Sequence, residues 1–135
     1  MGRLTDKVAI ITGGARGMGE SHVRTFVREG AKVVFTDLNE EGGQALAKEL
    51  GENVLFVKQD VTKAADWTTV IEETEKAFGP ANILVNNAGI TKDTLLMRMT
   101  DEQFDDVINT NLRSCFKMCR AAIMPMMKNR FGRII

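Results

Sequence analysis

No tyrosine occurs in the 135 residues, and histidine and tryptophan occur once each. A phenolic acid–base group is therefore excluded. The sole histidine, His22, falls near the apolar face of an apparent helix, where packing explains it better than catalysis. An excess of charge of either sign is also missing, with 18 Lys plus Arg against 18 Asp plus Glu. No net field draws in nucleic acid or an anionic membrane surface, and neither partner is expected. No apolar run approaches the roughly 18 residues of a membrane span. The opening MGRLTDK lacks the apolar core of a secretory signal, and Asp6 stands where a myristoylation signal needs Ser or Thr. The two cysteines, Cys115 and Cys119, are one helical turn apart, a poor geometry for a disulfide. They read as buried thiols of a reducing, cytoplasmic setting. No cluster of His, Cys or carboxylate has metal-ligand spacing, so no metal is expected.

What the chain does have is alternation. Short apolar runs rich in β-branched residues trade places with longer amphipathic segments. KVAIITG (7–13), KVVFTD (32–37), NVLFVKQD (53–60) and ANILVNN (81–87) are strand candidates. Between them lie predicted helices over 17–30, 40–50 and 64–78, the last stopped by Gly79-Pro80. Val23, Phe26, Val27 and Gly30 share one face of the first. Residues 90–100 read as loop, and Thr100 caps a long helix over 101–129. The chain closes on FGRII, where Gly132 reads as a helix stop and Arg133-Ile134-Ile135 as the opening of a buried strand. Strands alternating with helices predict an α/β fold, a doubly wound parallel sheet with helices on both faces. With no linker, repeat or low-complexity tract, residues 1–135 are expected to form a single domain. Met97, Met99, Met118, Met124, Met126 and Met127 read as core or subunit-contact packing.

Thr12-Gly13-Gly14-Ala15-Arg16-Gly17-Met18-Gly19 lies where the first strand meets the first helix. Glycines there permit a tight turn and close approach to a diphosphate, and the helix N-terminus offers free N–H groups to the anion. The spacing is G-x-x-x-G-x-G rather than the G-x-G-x-x-G dinucleotide fingerprint, and the same loop is open to reading as a turn without a ligand. The missing Gly-Lys-Ser/Thr argues against a P-loop. Asp37, followed by Leu38, ends the second strand about 20 residues beyond the glycines. A carboxylate there accepts hydrogen bonds from both hydroxyls of an adenosine ribose and repels a 2′-phosphate. Arg16 pulls the other way, since a guanidinium pairs with such a phosphate. Direct apposition of Asp37 favours NAD over NADP. The plainer reading of both residues is solvated loop charge.

TGGARGMG, then Asp60-Val61 after the third strand, then Asn86-Asn87-Ala88-Gly89 after the fourth, resemble the short-chain dehydrogenase/reductase family. The resemblance runs from Lys7 to Ile135 and implies a Rossmann-like NAD(P)-binding domain with strand order 3-2-1-4 and a fifth-strand stub. It implies cofactor contacts at Gly13, Arg16, Gly17, Met18, Gly19, Asp37 and Leu38. Asp60 and Val61 would flank the adenine, while Asn87, Ala88 and Gly89 would line the ribose and brace the sheet. Asn111 matches the asparagine that holds a water in the family's proton relay, and the plainer reading is an amide satisfying backbone at a helix irregularity. ITKDTLLMRMTDEQFDDVINTNL and MMKNRFGRII look like 3-oxoacyl-(acyl carrier protein) reductases. The segment from Gly13 through Gly43, followed by Asp66-Trp67, looks more like NAD-dependent alcohol or hydroxysteroid dehydrogenases.

The family's chemistry uses a serine, a tyrosine and a lysine beyond the fifth strand, none of which has a counterpart here. The resemblance therefore implies the cofactor-binding part of an oxidoreductase that transfers hydride between nicotinamide and a ketone or secondary alcohol, truncated before its catalytic segment and inactive alone. Two alternatives stand beside it: a non-catalytic NAD-binding module, and an active half completed by another chain. Self-association into a homo-oligomer is expected from Phe104, Val107, Ile108, Leu112, Cys115, Phe116, Cys119 and Ile123, an apolar stripe wider than one sheet face covers.

Overall fold

The computed structural model describes residues 2–135. Its centre is β1 (Val8–Thr12), buried at every position. On one side β1 pairs with β2 (Lys32–Asp37), which pairs with β3 (Val54–Lys58). On the other it pairs with β4 (Ile83–Val85), which pairs with β5 (Arg133–Ile134). All four pairings are parallel and the order is β3-β2-β1-β4-β5, as the resemblance implied.

Side-chain alternation divides the core in two. Ala9, Ile11, Val33, Phe35, Phe56 and Val85 face α1 (Gly17–Arg28) and α2 (Glu40–Leu50). Ile10, Val34 and Leu84 point the opposite way, against α3 (Ala64–Phe78) and α5 (Ser114–Lys128). Central strands must be apolar on both faces, which is why VAIIT and VVF show no polar–apolar alternation. Arg24 links α1 to α2 through a two-pronged contact with Glu49, at 2.7 and 2.9 Å.

Three expectations need correction. The 90–100 segment is not wholly irregular, since Leu96–Arg98 form a 3₁₀ turn. The single helix expected over 101–129 is three pieces: α4 (Asp101–Ile108), a π-helical turn (Asn109–Arg113) and α5. At the π turn the Ser114 N–H bonds the Asn109 carbonyl. The Ser114 hydroxyl and the Cys115 thiol serve the Thr110 and Asn111 carbonyls instead. Thr100 does cap α4, in a reciprocal arrangement with Gln103.

The third correction concerns the chain's last turn. Gly132 does not stop α5; Arg130 does, in the left-handed region at φ 53°. The Phe131 N–H returns to the Met126 carbonyl and the Arg130 N–H to Met127, the Schellman pattern with arginine in the place glycine usually takes. The strand that follows is present but not buried: Ile134 is 41% and Ile135 70% exposed, because β5 has a neighbour on one edge only. Among the methionines, Met118 and Met126 are core, whereas Met97, Met124 and Met127 are exposed.

Candidate functional site

Parallel strands place all their C-terminal ends on one edge, and the sheet order reverses direction at β1, between β2 and β4. A crevice is expected outside the strand ends at such a point. A cleft of about 720 Å³ lies there, and it brings together every expected binding residue, from Gly13 to Gly89. Asn111 does not line it, although its neighbour Thr110 does.

The glycine loop is built for close backbone approach. Gly13 sits at φ 67°, and a Cβ there would lie 2.9 Å from Ala88 Cα. A Cβ at Gly19 would collide with the Gly13 carbonyl oxygen. At these two positions only bare backbone fits. The first turn of α1 has no side-chain cap, so its N–H groups remain open toward the cleft. Met18 and Leu38, both exposed, add an apolar lip.

Thr12 and Asn87 lock the loop to β4. The Thr12 hydroxyl accepts the N–H groups of Asn87 and Ala88 at 3.1 and 3.0 Å. The Asn87 amide donates to the carbonyls of Thr12 and Gly13 at 3.1 and 3.0 Å. Both amide hydrogens of Asn87 are thus spent on the loop, and its side-chain oxygen is the atom left for a ligand. Thr12 was legible as part of the loop motif, but its role as the hub was not, because that role depends on a strand 70-odd positions away.

Asp37 is held from two directions. Its Oδ2 accepts the Ala15 N–H at 3.1 Å and its Oδ1 the Asn39 N–H at 3.0 Å. Each oxygen keeps a second acceptor direction. Arg16 is exposed and enters no ion pair among the described residues.

Asp60 and Val61 are fixed from beneath. The Thr62 hydroxyl donates to Asp60 Oδ1 at 2.6 Å and the Thr62 N–H at 2.9 Å. The Thr62 hydrogen bonds, the hydroxyl's foremost, hold the Asp60 carboxyl below the usual carboxylate range against the opposing effect of partial burial, with Lys63 assisting. Asp66 accepts the Asp60 N–H at 2.8 Å, and the Trp67 indole donates to the Val61 carbonyl at 2.7 Å. The floor includes Gln59, which the sequence did not single out. Its amide is buried between the Thr36 hydroxyl at 2.6 Å and Met118 Sδ at 3.3 Å.

Asn111 lies beside this cleft. Its side chain accepts the Ile90 N–H at 2.8 Å and donates to the Ile90 carbonyl at 2.9 Å. These bonds satisfy the Ile90 backbone from within the π turn, an arrangement compatible with either reading of Asn111. His22 lies elsewhere, with Nδ1 buried and unpartnered. Cys115 and Cys119 are both free and half-buried. Among the described residues no group of three or more His, Cys, Asp or Glu converges as a metal site, and no helix is long and apolar enough to cross a membrane.

The family described as short chain dehydrogenase matches residues 7–135. The chain belongs to that family. Among short-chain dehydrogenases, it is 46% identical over 129 residues to the 3-oxoacyl-(acyl-carrier-protein) reductase FabG of Escherichia coli K12, covering 96% of this chain and 53% of that protein. It is 44% identical over 134 residues to the 3-alpha-(or 20-beta)-hydroxysteroid dehydrogenase of Mycobacterium tuberculosis, covering 99% of this chain and 52% of that protein. It is 44% identical over 138 aligned positions to the FabG of Chlamydia trachomatis, covering 99% of this chain and 56% of that one. The chain spans about half the length of the curated relatives it matches. The family's members are oxidoreductases that work with a nicotinamide dinucleotide.

Proposed function

We propose that this chain is the dinucleotide-binding part of a short-chain oxidoreductase and that it takes NAD in preference to NADP. The bound dinucleotide would supply the hydride donor or acceptor, and this chain's residues would hold and orient it. The loop from Gly13 to Gly19 and the uncapped start of α1 would hold the diphosphate. Asp60 and Val61 would flank the adenine, and Asn87, Ala88 and Gly89 the ribose. The observation that carries the NAD preference is the Asp37 carboxylate, fixed by Ala15 and Asn39 with acceptor directions to spare. A ribose diol satisfies those directions, while a 2′-phosphate meets a negative charge that cannot swing away. Calorimetry with NAD and NADP tests this, and equal or reversed affinities would sink it.

Acting on a ketone or secondary alcohol, such as a 3-oxoacyl thioester, would belong to the whole protein. Alone, the 135-residue chain has no tyrosine to give or take the substrate proton. Positioned acid–base catalysis typically contributes about 10²–10⁴-fold, so turnover of β-ketoesters, steroids or secondary alcohols should stay at background. Asn111 would be the one member of the proton relay present, with nothing to replenish. Turnover surviving repurification, followed at the reduced-nicotinamide absorbance band, would overturn this reading. The outer edge of β5 is unpaired, a template for further strands whether they belong to the same chain or to another.

A further inference from the structure

A second cavity, of about 380 Å³, opens beside the dinucleotide cleft and shares Thr62, Ile90 and Thr110 with it. Its walls are otherwise unlike the cleft's. Asp106, Asn109 and Arg113 recur at three- and four-residue steps along α4 and the π turn, so one helical face presents them together. Lys92 reaches in from the chain that follows β4, and Trp67 forms part of the wall from α3.

The charges do not balance. Lys92 Nζ stands 3.8 Å from Asp106 Oδ2, the outer limit of an ion pair, with both side chains nearly half exposed. Such a pair is worth little. Arg113 has no acidic partner and its guanidinium makes no hydrogen bond among the described residues. Two cations against one carboxylate leave the cavity with a net positive charge, in a chain whose formal charge is zero. A guanidinium presents a planar fork of donors that matches the paired oxygens of a carboxylate or phosphate. The Asn109 amide adds hydrogen-bonding capacity, whereas the Trp67 N–H is already committed to the Val61 carbonyl and leaves the indole as an apolar wall.

We propose that this side cavity is a binding site for a small oxyanion of the carboxylate or phosphate kind, held by Arg113 and Lys92. It uses none of the glycine loop, so it stands apart from the dinucleotide reading and survives if that reading fails. The test is a titration of the ¹⁵N-labelled chain with inorganic phosphate and, separately, with benzoate, at ionic strength held constant with chloride. Saturable shifts of the Arg113 Nε–H and the Trp67 indole N–H are expected with at least one anion. Tighter binding of benzoate identifies an organic carboxylate with an apolar body; tighter binding of phosphate identifies a phosphoryl group. Because a charge-assisted bidentate contact is lost, Arg113→Gln should weaken binding at least about fivefold and Lys92→Gln about threefold, while Lys48→Gln, exposed on α2 across the sheet, changes nothing. Shifts that never saturate, that fall only on the loop from Gly13 to Gly19, or that persist unchanged in a folded Arg113→Gln chain overturn the proposal.

Discussion

The Asn111 side chain pairs with both main-chain groups of Ile90, donating to its carbonyl and accepting its N–H. One amide thereby does for the loop after β4 what a neighbouring strand would do. Asn111→Ala removes both bonds in an exposed setting. A loss of about 1–2 kcal/mol in denaturant unfolding follows at a net of roughly 0.5–1.5 kcal/mol per bond. The Ile90 amide should also exchange with solvent faster. Unchanged protection at Ile90 would show that something else holds the loop.

Asp37 braces the loop through the Ala15 and Asn39 N–H groups and, in the proposed reading, meets the ribose diol. Asp37→Ala should weaken NAD by roughly ten- to a hundredfold, at about 1.5–3 kcal/mol for hydrogen bonds to a charged group. NADP should suffer less, since the repulsion of its phosphate goes with the carboxylate. Calorimetry of the variant with both cofactors measures the ratio, and a ratio equal to that of the parent chain refutes the assignment.

Asp60 is a source of pH dependence. Its carboxyl is held below the ordinary range chiefly by the Thr62 hydroxyl. A group whose folded pKa is depressed contributes stability that is present above its unfolded value, about 3.9, and lost as pH falls through the lower folded value. Thr62→Val deletes the hydroxyl donor and keeps the backbone one, so the Asp60 titration should move upward and part of the acid resistance should disappear. Carboxyl ¹³C shifts followed from pH 6 to pH 2, approximately the span of this linkage, show whether it does.

The apolar stripe on α4 and α5 remains uncovered. Phe104, Leu112, Phe116 and Ile123 are all exposed, while Val107, Ile108, Cys115 and Cys119 are half-buried. Isolated exposed apolar side chains are ordinary, but a contiguous face of aromatic and aliphatic groups favours association. Sedimentation at tens of micromolar should give a species heavier than the monomer, and Phe116→Glu should shift it toward monomer without loss of fold. A clean monomer in the parent chain contradicts the expectation.

Much of this architecture was legible because its signals are local. Strand runs such as VAIIT need no distant partner to be recognised, and Asp37 falls at a strand end fixed by its own pattern. What stayed hidden depends on groups far apart in sequence. Thr12 reads as one more residue of a glycine-rich loop until β4 arrives beside it. Gln59 is an unremarkable polar residue after a strand until Met118 descends on it from α5. The π turn defeated periodicity for another reason. Its residues keep helical spacing, so the resemblance at Asn111 hinted at an irregularity that periodicity did not, and the rerouted bonds of Ser114 and Cys115 locate the extra residue. Arg130 escaped notice because glycine two positions later carried the stronger statistical claim to a helix end.

The strand at the centre of the sheet is also the first to be synthesised. Its pairing with β4 is anchored by Val8, whose N–H donates to the Asn82 side chain 74 residues on. On a ribosome adding about 5–20 residues per second, that separation leaves one edge of β1 open for roughly 4–15 s. During that interval the nascent chain carries an apolar, hydrogen-bonding edge that β2 covers on one side only. Closing that edge therefore waits on a distant strand, and the interval is when a holdase chaperone has the most to shield.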